Sequence, residues 1–210
     1  MESFSQYGQD QLISRVNGHK SDGYFVDVGA FDGIVFSNTY ALEKYYNWSG
    51  ICIEANDVKF KDLQNNRKCI VSNDLLYSEN GKEFEFLCGR VASSAINDKS
   101  ISHNMTIRNW NRFKKDNEDE YIKIIKKSRT LESVLEQHNA PKDIDYLSID
   151  VDGPEFEIIK VFPFSKYNIK YISIEYNNNR SQINELLSDN NFEYIAKRRV
   201  DIIYRNKSFT

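Results

Sequence analysis

Short apolar runs alternate with helical patterns along this chain, and that alternation leaves few folds open. Tyr24 to Val28 reads as a strand closed by Gly29, and a helical pattern follows from Ser37 to Tyr46. Gly50 to Glu54 is a second strand, Asp57 to Asn66 a second helix, and Cys69 to Val71 a third strand. A β-α-β-α-β order implies right-handed crossovers and a parallel sheet wound on both faces. The rhythm resumes late: helix over Thr130 to His138, strand over Ile144 to Ile149, helix over Glu155 to Phe162. Strand Ile169 to Ile174 and helix Ser181 to Leu187 come next, then two strand-like runs, Phe192 to Ile195 and Asp201 to Tyr204. These last two form a hairpin, an antiparallel close to an otherwise parallel sheet.

The middle is less regular. Gly81 to Leu87 and Tyr121 to Lys127 alternate as strands do, and a polar stretch rich in Asn and Lys separates them. We assign about 93–120 to a variable lid or substrate segment carrying His103 and Trp110. With 210 residues the chain fits one domain, residues 1–210. A net charge of −3 argues against nucleic acid as a partner. Neither a secretory leader nor a membrane-spanning apolar stretch is visible, and the three Cys form no Cys-x-x-Cys pair. The expectation is a cytoplasmic chain with free thiols, no membrane and no zinc.

In doubly wound sheets, ligands bind beyond the carboxyl ends of the strands. Acids stand at five such ends: Asp27 and Asp32, Glu54, Asp74, Asp150 with Asp152, and Glu175. The first loop holds Gly29, Ala30, Phe31 and Gly33 but no Gly-x-Gly, and its two carboxylates repel a pyrophosphate. They suit a cationic ligand such as S-adenosylmethionine, which carries a sulfonium and an ammonium. Glu54 follows the turn by about twenty residues, where an acid accepts from both ribose hydroxyls. Asn73 and Asp74 are placed near the adenine. Ser37, Asn38 and Thr39 open a helix whose free N–H groups can hold a carboxylate.

Together these residues resemble the FkbM-type methyltransferases. The likeness runs through Ser5-Gln6-Tyr7-Gly8-Gln9-Asp10, Phe25-Val26-Asp27-Val28-Gly29-Ala30-Phe31-Asp32-Gly33 and Ser37-Asn38-Thr39. It continues with Gly50-Ile51-Cys52-Ile53-Glu54-Ala55-Asn56, Thr130-Leu131, Ile149-Asp150-Val151-Asp152-Gly153-Pro154-Glu155 and Ile174-Glu175. The resemblance implies a class I methyltransferase fold, with a doubly wound, mostly parallel seven-stranded sheet and a C-terminal antiparallel hairpin. It implies methyl transfer from S-adenosylmethionine to a hydroxyl of a sugar, glycan or other small molecule. It adds Gln6, Gly8, Ala55 and Asn56 to the cofactor set. Two positions depart from the family pattern: Asp152 stands for a Glu, and Ala55 for a Pro after the ribose acid.

An alcohol is a weak nucleophile until its proton is drawn away, so a base helps. Asp150 is the expected base or substrate orienter, with Asp152 and Glu175 as the next catalytic candidates. The three acids are also of a type that binds Mg²⁺. The expectation is nonetheless that no metal is required and that activity persists after chelation. Two other readings stay open. Asp150-Val151-Asp152-Gly153 is similar to the opening motif of haloacid-dehalogenase-type phosphatases, although Pro154 and the short remaining chain weigh against it. The other is an inactive methyltransferase fold kept as a binding module. An EF-hand fails, because Ser148 and Ile159 fall where carboxylates are needed.

Overall fold

A computed structural model of the protein describes residues 1–89, 93–95, 122–176 and 179–209. Beyond Ser93–Ala95, the expected lid segment lies outside the described residues, as do His103, Trp110 and Asn177. The main sheet is built from β1 (Tyr24–Val28), β2 (Ser49–Ile53), β3 (Ile70–Ser72), β8 (Asp143–Ile149), β9 (Asn168–Glu175), β10 (Phe192–Arg198) and β11 (Asp201–Asn206). Its order is β10-β11-β9-β8-β1-β2-β3. Strands β3, β2, β1, β8 and β9 run parallel, whereas β11 pairs antiparallel with β9 and β10. The seven-stranded, mostly parallel sheet with its antiparallel hairpin is thus the one expected.

Alternation along each strand sorts the core onto the two faces. Val26, Val28, Ile51, Ile53, Leu147, Ile149, Ile172 and Ile174 pack to one side. There they meet α4 (Leu131–Gln137), α5 (Glu155–Ile159) and α6 (Arg180–Asp189) through Leu131, Val134, Leu135, Ile158, Ile183 and Leu187. Phe25, Cys52, Tyr146, Tyr171 and Ile203 pack to the other. Here they meet α1 (Gln9–Val16), α2 (Tyr40–Tyr46) and α3 (Asp57–Asn66) through Ile13, Leu42 and Leu63. Helix α1 is not among the elements expected from the sequence, although Leu12, Ile13 and Val16 carry its spacing.

Side chains start the helices where the backbone leaves N–H groups free. The Asn56 side chain accepts from Val58 N and Lys59 N to open α3, and Thr130 Oγ1 accepts from Ser133 N to open α4. A second sheet holds β4 (Leu75–Leu76), β7 (Ile122–Arg129), β5 (Glu83–Cys88) and β6 (Ser93–Ala95) in that order. The irregular middle of the sequence therefore builds an antiparallel β5–β7 pair beside the parallel sheet. Cys52 and Cys69 are free thiols with sulfurs 3.6 Å apart. Among the described residues no helix is long and apolar enough to cross a membrane.

Candidate active site

Strand register lines up one row of residues along the carboxyl edge of the main sheet. Val28 pairs with Ile53 and with Ile149, so Gly29 falls beside Glu54 on one side and Asp150 on the other. Ile149 pairs with Ile174, which brings Asp150 beside Glu175, and Glu175 pairs directly with Asp201. The ladder carries on into the loops: Gly29 N donates to Ile53 O at 2.9 Å and Asp150 N to Val28 O at 2.9 Å. The row reads Asp201, Glu175, Asp150, Gly29, Glu54. Glycine is required at its centre. Gly29 has φ 86°, and a Cβ there would lie 1.7 Å from the Asp150 carbonyl oxygen.

At the Glu54 end the loop is built around the carboxylate. Glu54 Oε2 accepts from Phe31 N at 2.8 Å and Oε1 from Asn56 N at 2.7 Å. Burial pushes its pKa up to about 7, against these two N–H donors. Each oxygen has taken one donor and keeps a lone pair. Phe31 adopts φ 52°, with the Lys59 ammonium 4.3 Å from its ring centre.

Several sequence-predicted contacts are instead committed to the protein itself. Asp27 faces inward, 3% exposed, and accepts from Thr39 Oγ1 at 2.6 Å. Beneath it lies Arg67, which sequence reasoning missed. Its guanidinium donates to Glu43 Oε2 (2.6 Å), Thr39 Oγ1 (3.0 Å), Gly33 O (3.2 Å) and Ser37 Oγ (3.3 Å). Asp27 thus supports the loop from below rather than lining its open side. Asp32 Oδ1 accepts from Ile34 N and Val35 N and so closes the turn. Ser37 Oγ accepts from Thr39 N (3.3 Å) and Tyr40 N (3.0 Å), so those two N–H groups are not free for a ligand carboxylate. Asn38 donates to Ser148 Oγ at 2.9 Å, while its Oδ1 is buried with no partner among the described residues.

Asn56 is fully used, as the α3 cap and as donor to Gly89 O at 2.7 Å. Asn73 donates to Glu54 O and accepts from Lys126 Nζ, both at 2.9 Å, which leaves its carbonyl one lone pair. Asp74 accepts from Ser72 Oγ at 2.5 Å and lies 3.5 Å from Arg129 Nη1. Ala55 packs against the core of the second sheet. Gly8, with φ 79°, caps α1, and Gln6 is exposed.

At the other end of the row, carboxyls crowd together. One oxygen each from Asp150, Asp152 and Glu175 lies within 4.8 Å of the others. Burial first, and then the charges of Glu175, Asp201, Asp152 and Glu155, raise Asp150 well above the usual carboxylate range. Glu175 is pushed up to about 8 by burial and its acidic neighbours, against a hydrogen bond with Asp150. Asp201, unforeseen in the sequence, accepts from Gln9 Nε2 at 2.7 Å and is raised by burial to about 6. Asp152 has φ 59° and is exposed as a residue, yet burial of its carboxyl raises its pKa. Glu155, not Asp152, closes the turn into α5, accepting from Gly153 N at 2.8 Å and Val151 N at 3.2 Å.

The raised carboxyls set the sign of a pH dependence. Their folded pKa values exceed the unfolded ones, so the folded state binds protons more tightly between the two. The stability these three groups lend the ligand-free protein is therefore fully present below about pH 4 and is lost as pH rises through about 6 for Asp201, 7 for Glu54 and 8 for Glu175. This is the reverse of an acid held by a salt bridge. Thermal melts between about pH 5 and about pH 8.5 test it; a melting temperature that climbs across that window contradicts the assignment.

A family model described as the methyltransferase FkbM domain matches residues 27–196. Among solved structures, the methyltransferase FkbM from Methylobacillus flagellatus KT is similar with a TM-score of 0.51 and 11% identity, over 88% of this chain and 43% of that one. The METTL16 MTase domain has a TM-score of 0.48 and 11% identity, over 92% and 63%. The N-terminal domain of human METTL16 in complex with SAH has a TM-score of 0.45 and 12% identity, over 92% and 66%. This chain spans 63% and 43% of the lengths of the first two. No curated protein matches it. At such identities the likeness to the solved structures concerns the fold.

Proposed function

This chain belongs to the methyltransferase FkbM family, and from that premise we propose that it moves the methyl group of S-adenosylmethionine to a hydroxyl oxygen of a sugar or glycan. The observation that carries the reading is the edge row, with a lone ribose-type acid at one end and a carboxyl cluster at the other. Neighbouring strands lie about 4.8 Å apart, so Glu54 and Asp150, two strands apart, are separated by roughly 10 Å at the backbone. On this reading the Glu54 end takes the cofactor and the Asp150 end the acceptor.

The residues present fit the cofactor. Glu54 keeps a lone pair on each oxygen for a ribose diol. Gly29 lets the chain turn without a side chain between Glu54 and Asp150. The buried, unpartnered Oδ1 of Asn38 is an acceptor that an ammonium would satisfy. Bound there, S-adenosylmethionine supplies an electrophilic methyl on a sulfonium. The chain's own part is to orient the acceptor and take its proton. A carboxyl lifted toward neutrality is a stronger base than a solvated one, and the ideal base sits near the working pH. The hydrogen-bonded Asp150–Glu175 pair meets that condition by burial and mutual repulsion.

Calorimetry tests the cofactor end. Wild-type protein should bind S-adenosylmethionine in the micromolar range, roughly −8 kcal/mol. Glu54→Ala should weaken binding by about 1.5–3 kcal/mol, the worth of a hydrogen bond to a charged group. A folded Glu54→Ala variant with undiminished affinity would remove Glu54 from the cofactor site.

A further inference from the structure

The carboxyl cluster has two features beyond its acidity. Glu175 is 8% exposed, and its Oε2 has no hydrogen-bond partner among the described residues. Asp201 is 1% exposed, and its Oδ1 has none either. Asp201 stands directly opposite Glu175 in an antiparallel pair, so the two side chains leave the same face of the sheet. Two buried carboxylate oxygens on one face thus lack donors, beside a third acid, Asp150, in the same row. Buried carboxylate oxygens without donors are relieved by taking up a proton or by a bound cation, and three acids on one edge suit the second.

We propose that Asp150, Asp152 and Glu175 bind a divalent cation of the Mg²⁺ or Mn²⁺ type, with Asp201 behind Glu175 adding negative charge. The donors are all hard carboxylate oxygens, which is the set such ions select. Octahedral Mg²⁺ holds oxygens at about 2.0–2.1 Å, so neighbouring ligands lie roughly 3 Å apart and opposite ones roughly 4 Å. The three oxygens, all within 4.8 Å of one another, are near enough to converge on one ion by side-chain rotation. Asp152 is an exposed residue, and on this proposal an acceptor hydroxyl enters as a further ligand from its side. A cation there lowers the pKa of these carboxyls and also that of a coordinated hydroxyl, so Asp150, bound through one oxygen, needs less basicity to take the proton with the other. This deepens the methyltransferase reading and rests on it for the acceptor's position. It also reverses the sequence expectation that chelation leaves turnover intact.

The test needs neither cofactor nor acceptor. Protein stripped with EDTA and dialysed is titrated with MnCl₂ alone, and free Mn²⁺ is read by electron paramagnetic resonance. One Mn²⁺ should bind per chain. Glu175→Gln and Asp152→Asn should each weaken it at least about 10-fold, since loss of even an outer partner costs that much. Asp152 is exposed, so its variant tests the site even where Glu175→Gln fails to fold. Mn²⁺ should also raise the wild-type melting temperature and leave that of Asp152→Asn nearly unmoved. Absent binding, or equal binding by wild type and Asp152→Asn, overturns the proposal. Calorimetry with S-adenosylmethionine on the same preparation separates the two ideas. Cofactor binding without Mn²⁺ binding rejects the cation site alone, whereas absent cofactor binding rejects the methyltransferase reading.

Discussion

Asp150→Asn should lower methyl transfer about 10²–10⁴-fold, the usual contribution of a positioned base, and leave cofactor affinity nearly unchanged. The amide keeps the shape of the carboxyl and can still hydrogen-bond to Glu175, but it cannot take a proton. Cofactor affinity is spared because Asp150 lies on the far side of Gly29 from Glu54 in the edge row. An interaction used only in the transition state lowers kcat and kcat/KM together. The measurement is methyl transfer across a panel of saccharides, with calorimetry of the same variant. Wild-type turnover in Asp150→Asn would take Asp150 out of the mechanism and move the base to Glu175. Loss of cofactor binding would make Asp150 part of the cofactor pocket instead.

Arg67→Ala should destabilise the fold by about 3–5 kcal/mol, the cost of leaving a buried charge without its partner. The Arg67 side chain is fully buried, and its fork ties Glu43 of α2 to Gly33, Ser37 and Thr39 after the first strand. Its charge also opposes the rise that burial imposes on Asp27. Removing it leaves Asp27 and Glu43 without their cation, and the loop above them loses its base. Arg67→Lys should recover only part of the loss, because an ammonium cannot reproduce the planar fork. Denaturant unfolding of both variants decides the matter. A change under about 1 kcal/mol in Arg67→Ala would mean that the network is incidental to stability.

Much of the fold and half of the site are legible in local pattern. The apolar runs ending at Val28, Ile53, Ile149 and Ile174 mark strand ends, and the residue after each such end in a doubly wound sheet faces the ligand. Glu54 and the Asp150–Asp152–Glu175 set are identified in that way. The phosphate-binding alternative at the first loop is set aside by its missing Gly-x-Gly and its two carboxylates. The family resemblance rests on the same short stretches.

What local pattern leaves open shares one physical cause. Periodicity reports which face a residue points to, but not what meets it there. Asn56, Asn73, Asp27 and Asp32 are polar residues at the expected edge, yet packing gave each a partner within the protein. Arg67 reads as one cation in a polar stretch, and only the approach of α3 to the first loop shows that it is buried. Asp201 and Gln9 are 192 positions apart, and their contact depends on α1 docking beside the hairpin. The chain's local order set the sheet, its direction and the edge at which chemistry gathers. Register across five strands set which acids became neighbours, and burial set how strongly they hold their protons, because both depend on contacts between residues remote in sequence.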